Sequence, residues 1–299
     1  MLARHRKLGS EGQDVGTPDR EWDIVSGIGL TALGIAACRA VETARPDRLI
    51  EDPFAAEFIR AARPPRPLPT GATDDPVWAS MSPYMGLRSR YFDELVTGSP
   101  APQVVILAAG LDARAYRLDL TGRDVYEVDQ PRVLEFKQDV FDGLAAKPRC
   151  TRHAVAADLR ENWSAALEQS GFDRTRPTVW LAEGLLIYLP GPVEEQLFDL
   201  IAACSAPGSR IGVERLAGEN LAGASDHMQH MGTSERLGVQ LTDLFSPQAR
   251  RNPVDWLTGQ GWQVTVSTPP EYAARHGREL PEMVLKTTGN SQFICAGLP

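Results

Sequence analysis

From residue 103 onward, short apolar runs alternate with segments of helical period, and this alternation restricts the fold more than any other feature of the chain. Runs of strand length fall at 104–107, 125–128, 153–156, 178–182 and 210–213. Between them, 130–144, 164–169 and 194–204 carry helical spacing, the last closed by Pro207 and Gly208. A strand that is apolar on both faces must be covered on both, and parallel neighbours need a helical crossover to bring the chain back to the same edge. The pattern predicts an α/β fold around a mostly parallel sheet. A helix at 252–261 leads into runs at 262–266 and 292–296, which makes seven strands, the last two pairing as a hairpin.

The residues before 103 read differently, because helical segments at 23–43, 52–62 and 78–96 precede any strand. Ile24, Ile28, Leu33, Ala36, Ala37 and Ala40 recur at a spacing that buries one helical face, with Asp23 at the N-cap. Pro53 opens the second helix, which sets Phe54, Phe58 and Ile59 on one side. Pro64, Pro65, Pro67, Pro69 and Pro76 make the next stretch a loop. The third helix is expected to be interrupted or to start late at Pro83, and it carries Arg88 and Arg90 beside Tyr91 and Phe92. The expected organisation is a frayed leader at 1–21, a helical cap at 22–100 and an α/β domain at 101–299. A polar, irregular insert at 215–241, after the fifth strand, is expected to cover one edge of the sheet as a lid.

Charge narrows the class of partner. The chain carries 31 basic and 39 acidic residues, a formal net charge of −8, which argues against nucleic acid or an anionic membrane as partner and favours a small molecule. The uncharged run 24–38 is too short to span a bilayer and contains Gly27, Gly29 and Gly34. The basic start of the chain is separated from that run by acidic residues, so no signal peptide is formed. Cys38, Cys150, Cys204 and Cys295 lie far apart and read as reduced thiols. A cytoplasmic enzyme is the expectation.

Four strand ends carry the chemistry. The first is Val104-Val105-Ile106-Leu107-Ala108-Ala109-Gly110, a buried strand followed by small residues that let a cofactor approach the backbone beyond its carboxyl end. At the second, Val125-Tyr126-Glu127-Val128-Asp129, the carboxylate of Asp129 stands nineteen residues after Gly110, where it can accept hydrogen bonds from a ribose diol. Capping of the following helix is the competing role for Asp129. The third end offers Asp158 and the Leu159 amide for the exocyclic amine and a ring nitrogen of adenine. The fourth buries Glu183 in an otherwise apolar run, which demands an ammonium or an arginine as partner.

Taken in order, these groups meet the needs of S-adenosyl-L-methionine. A nicotinamide dinucleotide expects G-x-G-x-x-G, and Ala108-Ala109-Gly110-Leu111-Asp112-Ala113 contains a single glycine, which disfavours an NAD-dependent oxidoreductase. The motifs A-A-G-L-D-A-R-A-Y-R-L at 108–118, Y-E-V-D-Q-P at 126–131 and W-L-A-E-G-L-L-I-Y-L at 180–189 closely resemble the leucine carboxyl methyltransferase-like family, in particular its bacterial branch. R-P-D-R-L-I-E-D-P-F-A at 45–55 and R-S-R-Y-F-D at 88–93 extend the likeness upstream. The resemblance implies a class I, Rossmann-like methyltransferase with a helical N-terminal cap. It also implies cofactor contacts at Gly110, Asp129, Asp158, Leu159 and Glu183, and one of Arg88 and Arg90 on the methionine carboxylate. Two positions depart from the family: Ala108-Ala109 replaces a glycine-containing turn, and Glu51 precedes Asp52-Pro53 where the eukaryotic members have a basic residue.

Methyl transfer from a sulfonium is an in-line displacement that asks the protein to align the reactants and exclude water. A carboxylate acceptor needs no general base, whereas a phenol or alcohol does. Tyr188, His227 and His230 are the candidate bases, and none is assigned. Asp226-His227-Met228-Gln229-His230 lacks a metal-ligand pattern and reads as a surface or lid helix. Trp163 and Trp180 read as packing residues. The expected function is O-methylation of a carboxyl or hydroxyl on a small or medium acceptor, a small molecule or a peptide, the alternative being a non-catalytic S-adenosylmethionine sensor or scaffold.

Overall fold

The structure, a computed structural model, describes residues 24–216, 232–246 and 248–299, without the Thr242 side chain. Seven strands form a single sheet of order β3-β2-β1-β4-β5-β7-β6. They are β1 (Gln103–Leu107), β2 (Asp124–Asp129), β3 (Thr151–Ala156), β4 (Thr178–Ala182), β5 (Arg210–Arg215), β6 (Gln263–Ser267) and β7 (Gln292–Gly297). β1 to β5 pair in parallel, while β7 lies antiparallel between β5 and β6. β1 and β4, apolar after their first residue, are buried along their whole length at the centre, and β3, of which only Val155 is fully buried, takes an edge. The chain moves outward from β1 to β3 and then crosses back to β4 on the other side of β1. Such a reversal opens a crevice beyond the carboxyl ends of β1 and β4. Register places Leu107 opposite Val128 and Asp129 opposite Ala156, so the first three strand ends share one rim.

The cap consists of α1 (Gly27–Thr43), α2 (Ala55–Ala62) and α3 (Pro76–Thr97). α1 begins at Ser26 as N-cap, and the expected cap, Asp23, lies outside the described residues. α2 starts later than expected because Asp52 Oδ1 accepts the amides of Phe54 (3.1 Å) and Ala55 (3.2 Å), which closes a turn ahead of the helix. α3 is capped by Asp75 and runs through Pro83 without interruption. Buried packing on both sides of Pro83 outweighs the amide that it cannot donate.

Crossover helices α4 (Arg114–Arg117), α5 (Pro131–Gly143), α6 (Trp163–Gln169) and α7 (Gly191–Ala203) link the parallel strands. Of the expected insert at 215–241, residues 217–231 lie outside the described residues. Its described end, a short helix Thr233–Leu237, sets the Leu237 side chain against Gly34 of α1, where an added Cβ would lie 2.9 Å from it. Among the described residues, no helix is long and apolar enough to cross a membrane.

Candidate functional site

The turn after β1 is built from small residues in unusual backbone conformations. Ala108 has φ 50° and Gly110 φ 47°, both in the left-handed region. For Ala108 that conformation costs about 1–2 kcal/mol, a cost glycine escapes. The turn is tied to β2 by Asp129, whose Oδ2 accepts the Gly110 amide (2.6 Å) while Oδ1 accepts the Gln130 amide (2.7 Å). Burial raises the pKa of Asp129, and the two amide donors and Lys137 oppose that rise. Gln130 occupies the N-cap position of α5 and makes no side-chain cap. Asp129 therefore braces the turn, and each of its oxygens retains a lone pair for a further donor.

The fourth strand end is an ion cage. Glu183 Oε1 accepts from Arg88 Nε (2.9 Å), and Glu183 Oε2 lies 2.8 Å from Arg114 Nη1 without a hydrogen-bonding angle. The partner demanded by the buried carboxylate is thus an arginine from α3, joined by a second from α4. Arg88 also donates from Nη1 to Glu214 Oε2 (2.9 Å). Burial would lower the pKa of Arg88, but Glu214 and Glu183 outweigh it and raise the group further. Arg114 continues the network to Asp93 (2.7 Å) and to Asp112. Burial opposes ionisation of Asp112, yet Arg114, Lys137 and Arg117 overcome it and hold the carboxyl at about 2.

These groups form one wall of a cavity of about 290 Å³. Gly110, Asp129, Glu183 and Arg88 all line it. Arg90 does not: two residues along a helix turn the side chain by about 200°, so Arg90 faces outward and pairs with Glu94 at 2.6 Å. Asp158 and Leu159 are also outside the lining, and Asp158 accepts from the Arg160 amide (2.8 Å) and pairs with the Arg160 side chain. The Arg160 side chain, its backbone amide and Gln130 hold the Asp158 carboxyl at about 2 against the opposing effect of burial. The opposite wall is apolar, from Ile28 and Ile35 of α1, Trp78 and Met85 of α3, Leu237 and Phe245.

Tyr188 belongs to that wall and its hydroxyl reaches Thr31 Oγ1 at 3.5 Å. Burial raises its pKa, which removes it as a base at neutral pH. His227 and His230 lie outside the described residues. Trp163 and Trp180 are buried and meet edge to face with ring centroids 6.1 Å apart, as packing residues do.

A clasp holds the turn that carries Glu183 and Tyr188. Arg250 Nη2 donates to the carbonyls of Ile187 (2.9 Å) and Ser246 (3.0 Å), and the Ser246 amide donates to Ile187 O (2.9 Å). Behind it, Glu194 of α7 lies 3.6 Å from Arg250 Nε, and burial pushes its carboxyl up to about 7 against the pull of Arg250 and Arg215. Gly191 permits the approach, since a Cβ there would sit 2.3 Å from Ala249 O.

Sequence reasoning missed Arg114, Asp112, Tyr84 and Glu214, all of which line the cavity. Arg114 lies inside the A-A-G-L-D-A-R-A-Y-R-L motif, so a signal for it was present.

The strand order with an antiparallel β7, the turn after β1 and the acidic ends of β2 and β4 define a Rossmann-like methyltransferase. The family profile described as leucine carboxyl methyltransferase matches residues 32–202, and the chain belongs to that family and is a methyltransferase. A protein of Rhodococcus jostii (strain RHA1) is 46% identical over 94% of this chain and 99% of its own length. One from Mycobacteroides abscessus is 44% identical over 93% of this chain and 94% of its own. Both are named "Putative S-adenosyl-L-methionine-dependent methyltransferase". The crystal structure of a DUF574 family protein from Streptomyces avermitilis shares the fold, with a TM-score of 0.56 at 12% identity, over 90% of this chain and 97% of that one.

Proposed function

We propose that the protein transfers the methyl group of S-adenosyl-L-methionine to a carboxyl or hydroxyl oxygen of a small or medium, largely apolar acceptor. One observation carries this reading: a single cavity has a charged wall at the strand ends and an apolar wall from the cap. The charged wall suits the cofactor. Four arginines and five carboxylates line the cavity, an excess of one negative charge against a ligand of net charge +1. Glu183 Oε2, buried and without a hydrogen bond among the described residues, is an acceptor for an ammonium.

When bound, S-adenosyl-L-methionine supplies an activated methyl group on its sulfonium. Asp129 would accept from the ribose diol, and Glu183 and Arg88 would hold the ammonium and carboxylate of the amino-acid end; Asp158 and the Leu159 amide, which do not line the cavity, would meet adenine only where it extends past the lining. Gly110 supplies open backbone at the turn. The apolar wall would orient the acceptor and exclude water, which strengthens the electrostatic contacts of the charged wall. A carboxylate acceptor needs no base; for a hydroxyl, Tyr188 can orient the oxygen but stays protonated.

Titration calorimetry with S-adenosyl-L-methionine tests the cofactor assignment. Native protein should bind, and Asp129→Ala should weaken binding about ten- to hundredfold through the loss of two ribose hydrogen bonds. Undiminished affinity in the variant refutes the assignment. For the acceptor, incubation of the protein with methyl-labelled cofactor and a cell extract should place label on oxygen, and label found only on nitrogen refutes the proposed class. Persistent cofactor binding without any labelled product would favour a sensor.

A further inference from the structure

Glu214 stands at the carboxyl end of β5, is 6% exposed, and was assigned no part in the strand-end reading. Its carboxylate collects three donors. Oε1 accepts from the Tyr84 hydroxyl (2.6 Å), and Oε2 accepts from Arg88 Nη1 (2.9 Å) and from the Gly184 amide (2.8 Å). Gly184 has φ 63° and directly follows Glu183, and its Cα is so close to Arg88 that an added Cβ would lie 3.4 Å from Nη1. One carboxylate thus fixes both the arginine and the peptide turn that carry the two groups assigned to the amino-acid end of the cofactor.

We infer that Glu214 is a positioning residue for the aminoacyl end of S-adenosyl-L-methionine, an inference that rests on the cofactor reading above. Glu183 and Arg88 neutralise each other when no ligand intervenes. An ammonium that recruits Glu183 takes away part of the hold on Arg88, and Glu214 keeps the guanidinium oriented and paired while that exchange occurs. The Gly184 amide bond meanwhile keeps the Glu183 turn from following its ligand. Buried, charge-assisted hydrogen bonds of this kind are the stronger ones, and removal of the acceptor leaves the donors unsatisfied.

Two ligands separate this role from general stabilisation. S-adenosylhomocysteine carries the aminoacyl end, and 5′-methylthioadenosine carries adenine, ribose and the thioether without it. In calorimetry Glu214→Gln should weaken S-adenosylhomocysteine about tenfold or more and change 5′-methylthioadenosine by less than about twofold. Tyr84→Phe, which removes one bond into Glu214, should show the same selectivity at about threefold and guards against a misfolded Gln variant. Equal losses for the two ligands, or an unchanged affinity for S-adenosylhomocysteine in both variants, overturn the inference. Failure of the native protein to bind either ligand would instead overturn the cofactor reading, and this inference with it.

Discussion

The Glu194 carboxyl should make stability depend on pH in a direction opposite to that of ordinary surface carboxylates. In the unfolded chain it titrates at its usual 4.5; in the folded protein burial raises it to about 7. Between those values the folded state binds the extra proton, so stability is highest at the acid end and falls as pH rises through the window, levelling off above about 7. A rise from 4.5 to about 7 corresponds to about 3 kcal/mol, of which about 2 to 3 kcal/mol is lost between about pH 5 and about pH 8. Glu194→Gln keeps the shape and removes the titration. Urea unfolding of both proteins across that range should show the variant gaining on the native chain by this amount as pH rises. Arg250 and Arg215 pull the Glu194 carboxyl down, so they oppose this trend rather than create it. A stability gap that is constant within about 0.5 kcal/mol from pH 5 to pH 8 would refute the reasoning.

Three further substitutions probe other parts of the site. Arg114→Met strands Asp112, Asp93 and Glu183 without one of their cations and should cost about 3–5 kcal/mol in chemical denaturation. Gly191→Ala places a Cβ against the Ala249 carbonyl and should cost about 1–3 kcal/mol, with faster amide exchange at Ser246 than in the native protein. Ala108→Gly relieves a left-handed alanine at the expense of a floppier unfolded chain, so thermal unfolding should show a net gain of about 0.5–1 kcal/mol; a loss would mean that Ala108 is not strained.

The sheet was legible in the sequence because each strand is a short apolar run bounded by turn residues, and all seven expected runs became strands. Their ends moved by one or two residues where polar side chains such as Asp124 and Arg215 continue the ladder. Helix starts were less legible, since Asp52 and Asp75 decide them through hydrogen bonds to amides two or three residues on. Thr268-Pro269-Pro270-Glu271 announces the helix Pro269–Arg275 by its capping box, a local signal that was available and not read. The acidic strand ends were visible because sequence order places them. Their partners were not: Tyr84 and Arg88 reach Glu214 across 130 and 126 residues, and no local pattern encodes a contact at that separation. Arg88 and Arg90 could not be told apart until the orientation of α3 was known.

Arg88 lies on a cap helix, yet the carboxylates that hold it stand just past the end of β4, at Glu183, and near the end of β5, at Glu214. The boundary near residue 100 that divides helices from strands in the sequence is therefore not a seam along which the molecule can be cut. Arg114 of α4 reaches Glu183 as well, but among the two arginines of this cage only Arg88 also bonds Glu214, so removal of the cap would leave that carboxylate without its cation. Under the proposed function, acceptor specificity would drift through the apolar side chains of α1 and α3 while Arg88 stays anchored to the strand ends.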